Sequence, residues 1–426
     1  MNKRIVLGVV AVAALGLSGC ASTADADSDS TGEGVNIVYA VPSSWVNTGA
    51  LQENIDLWEK ETGNTVEVLG IPDEQHDTTV QARLASGGGI DVFAGLNDIE
   101  DSASVMVEIT DPSFEDRMSS AVYESMFATD GKLYSYPTAD ALATFGVLYN
   151  EEVFEAAGVD EAPTSLEDLT AAFEQIKAAG VTPLYLAGKD GWTLLQHRNS
   201  VDADFLSTDP DIAAKLATNE TTWTEVPGFE GQYDALLDWS TGGLINPDVL
   251  TASYEQSLEA LATGKAGAII NGTWAISELR KQNPDLELGF FAVPNADGET
   301  VIGLSRPNTM HIAASSKVQE EAQDLLEFLI APEQAERFIA AAPGVPSFED
   351  VTVAEPDPAI EDVQVYVAEG RVVGHFDNLS RFPTPQDDII AAYQELVAGR
   401  INVEEFGAAY DAAWINAGKT AGLEGF

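Results

Sequence analysis

The stretch of chain that sets the fold class is residues 35–69, which read VNIVYAVPSSWVNTGALQENIDLWEKETGNTVEVL. Residues 35–39 alternate apolar with other side chains, a period that predicts a β-strand. Over 49–62 the apolar side chains recur at helical spacing, and Gly63 then stops the predicted helix. Residues 66–69 predict a second strand, so this stretch contains a β-α-β unit.

The alternation of strands and helices continues beyond this unit. Residues 75–86 predict a helix that ends at Gly87, and residues 90–94 predict a third strand. A β-α-β-α-β order predicts an α/β fold in which helices cover the faces of a parallel sheet. The same patterns later in the chain predict strands at 182–186, 266–270 and 286–293, and helices at 166–176, 322–329 and 389–396.

The composition excludes several classes of protein. The chain has 426 residues, of which 45% are hydrophobic and 21% charged, so it can bury a sizeable core in one or two domains and is not disordered. It carries 70 Asp and Glu against 20 Lys and Arg, a formal net charge of −50. That balance argues against nucleic acid and anionic lipid as partners, because both need clustered basic side chains. It suits an uncharged or cationic ligand. The alternative is that the acidic residues only form a solvated surface adapted to the medium.

The N-terminal segment predicts export and anchoring. Lys3-Arg4 precedes an apolar or small run over 5–17, which has the layout of an export signal and is too short to span a bilayer. Leu17-Ser18-Gly19-Cys20 then matches the lipobox of bacterial lipoproteins. The match implies a signal peptide at 1–19, a lipid on the cysteine, and a flexible tether at 20–34 made of small and polar residues. A plain signal peptide with an incidental cysteine is the alternative.

Sequence signatures of catalysis and of metal binding are absent. Cys20 is the only cysteine in the sequence, which leaves no disulfide and no cysteine-based zinc site. The four histidines lack zinc-type spacing, and neither a G-x-S-x-G elbow nor a Walker loop occurs. We therefore predict no cofactor and no metal. A glycosidase-type pair of carboxylates stays open, because such a pair is defined in space and not by spacing.

Aromatic side chains in loops are the clearest candidates for a binding site. Trp45, Trp192 and Trp274 lie beside Gly, Asn, Asp or Thr, and the first follows directly after the first predicted strand, where open α/β sheets bind ligands. An indole can cover the apolar face of a pyranose while polar neighbours bind its hydroxyls. The alternative is that each indole caps the core. We expect that role for Trp58 and Trp239, which lie at helical spacing.

Several longer stretches resemble one family of transport proteins. They are Gly131–Tyr134, Leu148–Phe154, Pro163–Leu169, Gly264–Ala275 and Ala331–Gln334, and they occur in the same order as in that family. The family is the extracellular solute-binding proteins of bacterial ABC sugar importers, which includes the maltose-binding proteins. Each motif is weak alone, and their order across nearly the whole chain carries the resemblance.

The resemblance implies a two-lobed fold. In the family, two α/β lobes, each with a mainly parallel sheet flanked by helices, are joined by hinge crossings and hold the ligand in the cleft between them. The implied N-lobe is 35–139 with 290–312, and the implied C-lobe is 140–289 with 313–426.

The resemblance also implies a set of cleft residues. Carried over position by position, the ligand-binding side chains are Trp45, Asn47, His76, Asn97, Asp98, Asp140, Trp192, Trp274 and Arg306. Asp140 would meet the ligand at the first crossing between the lobes. Arg306 would either bind ligand hydroxyls or pair with Asp140, and a purely structural ion pair is the alternative for it.

The implied function is capture of a neutral mono- or oligosaccharide and its delivery to the permease subunits of an ABC transporter. The protein would act as a monomer on the outer face of the cytoplasmic membrane, held there only by lipid on Cys20, without bond-making chemistry. Two rival classes are an exported glycoside hydrolase, which would share an acid- and aromatic-lined cleft, and a surface adhesin, which would not bind small sugars.

Overall fold

The computed structural model describes residues 34–46, 49–96, 102–128, 130–209, 211–295, 298, 300–342, 344–352, 356–377 and 382–426. Its strands are β1 Asn36–Pro42, β2 Thr65–Ile71, β3 Val92–Ala94, β4 Tyr136–Pro137, β5 Ala141–Leu142, β6 Phe145–Asn150, β7 Thr182–Leu184, β8 Ala266–Gly272, β9 Leu288–Phe291, β10 Ile302–Leu304, β11 Thr309–Ile312, β12 Val345–Pro346 and β13 Val372–Gly374.

Its α-helices are α1 Ser43–Val46, α2 Ala50–Thr62, α3 Asp73–Ser86, α4 Ser102–Val105, α5 Ser120–Glu124, α6 Glu151–Ala157, α7 Leu166–Ala178, α8 Leu195–Thr208, α9 Ile212–Ala217, α10 Phe229–Thr241, α11 Tyr254–Ala262, α12 Trp274–Gln282, α13 Gln319–Leu329, α14 Pro332–Ala341, α15 Pro358–Ala368, α16 Gln386–Val397 and α17 Val403–Ala421. Within the described ranges, no helix combines the length and the apolar character needed to cross a bilayer.

The first sheet has the strand order β2-β1-β3-β11-β4. β1 pairs parallel with β2 and with β3, as the β-α-β-α-β pattern predicts. α2 is the helix expected over 49–62, and Gly63, at φ 77°, caps it by donating its N–H to the carbonyl of Glu59. Of the remaining strands, β11 pairs antiparallel with both β3 and β4, so β4 runs in the same direction as β3.

The second sheet has the order β7-β8-β6-β9, in which β7 and β8 are parallel and β6 runs antiparallel to both β8 and β9. Both sheets are therefore mixed, but each has a single reversed strand, β11 in the first and β6 in the second. The other strands of each sheet run in one direction, as expected for mainly parallel sheets. The two reversed strands, β6 and β11, each follow a segment that passes between the sheets, so they enter from the opposite direction. Hydrophobic periodicity carries no information on strand direction, which is why the sequence did not reveal this.

The fold is two-lobed, with one sheet in each lobe, as the sequence predicts. The chain first passes between the sheets over 138–144, from β4 to β6, and returns over 305–308 into β11. It passes a third time after α14, because the later helix α15 packs on β9 of the second sheet. At that third passage, β12 pairs antiparallel with β5 of the first passage.

Two parts of the chain pack against a different sheet from that of the lobe to which the sequence assigned them. α13 and α14 pack on α2, where the Trp58 indole N–H donates to Asp324 at 2.9 Å, although 313–426 was assigned to the C-lobe. Residues 290–291, assigned to the N-lobe, belong to β9 and pair with β6. We propose a division in which 309–341 goes with the first sheet and 288–291 with the second.

The tryptophans at helical spacing lie in the core. Trp58 is packed in the hydrophobic cluster around the first sheet, and Trp239 in the cluster around the second, where its indole also donates to Thr170. Both side chains are buried. This confirms the structural role expected for them and leaves the loop tryptophans as candidates for a site.

Candidate functional site

A cavity of about 240 Å³ lies where the first passage between the lobes meets both of them. Its walls come from β1, α1, α2, β11, α13 and α14 on the side of the first sheet, from the passage itself, and from the start of α12 on the side of the second. The lining residues are Tyr39, Ser44, Trp45, Leu51, Thr138, Ala139, Asp140, Ala141, Leu142, Ala143, Thr273, Trp274, Ser277, Asn308, Met310, Leu329, Phe338 and Ala342.

The first strand and the loop after it supply one wall. β1 ends at Pro42 and α1 begins at Ser43, so Trp45 stands at the carboxyl end of a parallel strand, where ligands bind in open α/β sheets. Tyr39, from inside the same strand, is fully buried and lines the cavity. Its hydroxyl has no hydrogen-bond partner within the described chain. It is therefore a buried polar group that a ligand can satisfy.

Trp274 supplies the facing wall from the second lobe. β8 ends at Gly272, and α12 begins at Trp274 itself. The indole lies directly over Gly272, because a Cβ added there would stand 1.9 Å from the ring. Phe145 packs edge-on against the indole, with ring centroids 5.7 Å apart. A glycine and an aromatic neighbour thus fix the orientation of this indole.

Trp192 lies next to Trp274 but not in the cavity lining. The two indole centroids are 6.3 Å apart, and Tyr254 packs edge-on against Trp192 at 4.9 Å. Trp192 is 39% exposed, the largest such fraction among the three loop tryptophans. It extends the aromatic surface from the cavity towards solvent.

Asp140 gives the cavity its charge. Burial raises the pKa of its carboxyl, and the neighbouring side chains of Thr138 and Asn308 oppose that rise. Burial, and then the nearby Asp140 charge, also raise the pKa of Tyr39, which therefore stays a neutral hydroxyl. Among the described lining residues Asp140 is the one carboxylate, and none is basic. Such a cavity favours a ligand that donates hydrogen bonds and disfavours an anion.

Two of the predicted site residues lie elsewhere. His76 is buried, with its Nδ1 2.9 Å from an Asp77 carboxylate oxygen, and it does not line the cavity. Arg306 lines a separate, much smaller cavity with His311 and is not among the described residues that line the main cavity. In both cases the expectation came from position along the chain, which does not determine where a side chain points.

Four predicted positions cannot be compared with the structure. Asn47, Asn97, Asp98 and the lipidation site Cys20 lie outside the described residues. They stay predictions.

Sequence reasoning missed much of the apolar wall. Leu51, Leu329 and Phe338 come from three helices of the first lobe, and Met310 comes from β11. Their apolar periodicity marks a buried face, and a face that packs on the core looks the same in sequence as one that lines a cavity. Tyr39 was missed for the same reason, because its alternation in β1 identifies only a buried side chain.

The described residues show no group of three or more His, Cys, Asp or Glu that could hold a metal ion. Glycoside hydrolysis uses two carboxyl groups placed on either side of the scissile bond. The described lining of the cavity offers the single carboxyl of Asp140.

Comparison with known proteins agrees with this architecture. Residues 43–336 match the bacterial extracellular solute-binding protein family, and the chain belongs to that family. It is 24% identical over 393 residues to the melibiose/raffinose/stachyose-binding protein MelE of Bacillus subtilis, covering 90% of this chain and 89% of that protein. It is also 24% identical over 352 residues to the multiple sugar-binding protein of Streptococcus mutans, covering 79% and 80% of the two chains.

Among solved structures, the solute-binding protein RafE in complex with raffinose superposes with a TM-score of 0.74, at 21% identity, over 90% of this chain and 99% of that one. The family predicted from sequence motifs is therefore confirmed, and so is the two-lobed fold.

Proposed function

We propose that this protein captures a neutral saccharide in the cavity between its lobes and delivers it to the permease subunits of an ABC transporter. The observation that carries the proposal is the composition of the cavity. Trp45 and Trp274 reach it from different lobes, and the described lining has one carboxylate and no basic group. Indoles suit the apolar faces of a sugar ring, and Asp140 with the Tyr39 hydroxyl suits its hydroxyls.

Capture is coupled to movement of the lobes in this proposal. A ligand can contact both walls at once only when the lobes are closed. It therefore binds the closed form more tightly and shifts the hinge equilibrium towards that form. The permease would read that closed form. The protein would make and break no bonds. The names of the relatives, which refer to raffinose, stachyose, melibiose and multiple sugars, support an oligosaccharide ligand.

We further propose that the protein works as a lipid-anchored monomer. The match of Leu17–Cys20 to a lipobox, followed by a tether over 20–34, supports this location. Metabolic labelling with a fatty-acid analogue should mark the wild type and not Cys20→Ser. Equal labelling of the two would contradict the anchor.

Binding is tested by isothermal titration calorimetry with melibiose, raffinose, stachyose, a chitin oligosaccharide and, as an anionic comparison, a galacturonate oligomer. We expect saturable binding of at least one neutral sugar and none of the acidic one. A tight ligand should also raise the melting temperature by mass action. Absence of binding across the neutral panel would contradict the proposal.

The hydrolase alternative is tested with the same samples. New reducing ends after prolonged incubation with purified protein would show turnover and would replace the binding function by an enzymatic one. Unchanged oligosaccharides combined with saturable binding would support the proposal.

A further inference from the structure

The third passage between the lobes touches the backbone of the cavity's carboxylate residue. α14 contributes Phe338 to the cavity wall, and β12 then pairs with β5, whose residues also line the cavity. Ser347 follows β12 directly. Its hydroxyl donates to the backbone carbonyl oxygen of Asp140 at 2.6 Å, and its side chain is buried.

The two passages lie close together at this point. Leu142 is opposite Val345 in the β5–β12 ladder. One residue earlier, a Cβ added to Gly344 would lie 2.3 Å from the Cβ of Ala141. Any side chain at Gly344 would therefore separate the two segments, and the glycine allows the serine to reach its carbonyl.

The first lobe holds the third passage on both sides of Ser347. α14 is tied to α2 by a hydrogen bond from Asn54 to the carbonyl of Gln334, at 3.2 Å. Beyond the serine, Arg117 pairs with Asp350 at 2.8 Å and lies 4.2 Å from the ring centre of Phe348. Because the segment is fixed on both sides, the serine hydroxyl has a defined position from which to hold its acceptor.

We propose that Ser347 is a positioning residue for Asp140: by fixing the backbone of that residue it holds the carboxyl in the orientation that receives ligand hydroxyls. The inference rests on the proposed function, since it concerns the affinity for a saccharide. Hydrogen bonds weaken steeply as their donor–hydrogen–acceptor angle departs from linear. A small backbone shift at Asp140 would therefore weaken its hydrogen bonds to the ligand and lower the affinity, without changing the charge of the site. The Asp140 carbonyl is in a part-buried contact, and the loss of its donor favours such a shift.

A double-mutant cycle tests the role. The dissociation constant for a neutral saccharide that the wild type binds is measured by calorimetry for the wild type, Ser347→Ala, Asp140→Asn and the double variant. We expect Ser347→Ala to weaken binding about threefold to tenfold, as loss of one ordinary hydrogen bond does. In the Asp140→Asn background the same change should have a clearly smaller effect, because contacting residues are not additive.

Ser347→Thr retains the hydroxyl and should restore most of the affinity. Ser347→Cys provides only a weak donor and gives a second measurement if the alanine variant does not fold. Ser125→Ala is the matched control, because Ser125 is also buried and also donates to a carbonyl at 2.6 Å, but lies outside the cavity lining. It should leave the dissociation constant unchanged.

The outcomes separate the two proposals. If Ser347→Ala binds like the wild type, or loses the same factor with and without Asp140, the positioning role is overturned while the proposed function stands. If the wild type binds no saccharide at all, the proposed function fails and this inference fails with it.

Discussion

Trp192 and Trp274 stand with their ring planes at 45° and their centroids 6.3 Å apart, one at the cavity wall and one beyond it. The two indoles form one aromatic surface that begins inside the cavity and continues outside. A ligand confined to the cavity would touch only the inner ring. A longer ligand would reach both.

Trp274 should therefore contribute to the affinity for every ligand, and Trp192 only to the affinity for long ligands. We expect Trp274→Ala to weaken binding of any saccharide at least tenfold, about 1.4 kcal/mol. Trp192→Ala should have a small effect on a disaccharide and a larger one on a tetrasaccharide. Calorimetry across chain lengths measures both, with Trp239→Phe in the core as the control. A loss for Trp192→Ala that does not depend on length would contradict this arrangement.

Gly272 should be required for the orientation of Trp274. In Gly272→Ala the new methyl group would overlap the indole, which must move, so we expect lower saccharide affinity and an altered tryptophan emission maximum. Overpacking of this kind also destabilises by about 1–3 kcal/mol. Gly231→Ala, in α10 with nothing near its added Cβ, is the matched control and should be neutral or slightly stabilising. Wild-type affinity in Gly272→Ala would disprove the contact.

The carboxyl of Asp140 should lower the free energy of unfolding of the ligand-free protein. Because burial raises its pKa in the folded state, the folded protein binds this proton more readily than the unfolded chain does. Stability therefore falls as the pH rises through the interval between the ordinary and the raised pKa. We expect Asp140→Asn to be more stable than the wild type at pH 7, with a difference that shrinks towards pH 4 in urea titrations.

The same variant should bind saccharide less well. Hydrogen bonds to a charged group are worth about 1.5–3 kcal/mol, so the loss of affinity should be about tenfold to a hundredfold at pH 7. A variant that is both less stable at pH 7 and unchanged in affinity would show that Asp140 is structural.

A buried ion pair in the second lobe should be essential for its stability. Arg198, which is 1% exposed, pairs with both oxygens of Asp377 at 3.1 and 2.9 Å. Burial alone would raise the pKa of Asp377, but the Arg198 guanidinium outweighs it and holds that pKa well below its usual range. The contribution of the pair is thus present above the ordinary pKa of an aspartate and is lost as the pH falls.

Asp377→Asn should accordingly lower the free energy of unfolding by about 3 kcal/mol at pH 7, because it removes a negative charge that balances the buried Arg198 guanidinium. Urea unfolding monitored by circular dichroism measures the loss, which should diminish below pH 4. Glu259→Gln removes half of the exposed pair with Lys265 and should cause no measurable change. Equal stability of Asp377→Asn and the wild type would contradict this account.

The individual elements could be predicted from sequence because their signals are local. The strand expected at 266–270 is Ala266–Gly272, and the helix expected over 322–329 is Gln319–Leu329. Trp45, Asp140 and Trp274, which the sequence suggested for a common site, line one cavity, since they adjoin strand ends or the passage between lobes. In each case the place of the residue at the end of a strand or in the passage between the lobes determines which other residues lie near it.

What could not be predicted depends on contacts between distant segments. The apolar face of α14 is visible in sequence, but its partner, α2, is not. Arg306 follows a recognisable segment, yet its side chain goes to another cavity. The antiparallel entry of β6 and β11 has no local signal either, because strand direction follows from the route of the whole chain.

That route has a consequence for biosynthesis. The first sheet needs β11, which is made roughly two hundred residues after β3, and α2 receives its partners α13 and α14 later still. At about 5–20 residues per second, a ribosome needs roughly ten to forty seconds to bridge that gap. For that interval the N-terminal strands lack a neighbour, so the lobe begun first is completed only after most of the other has emerged.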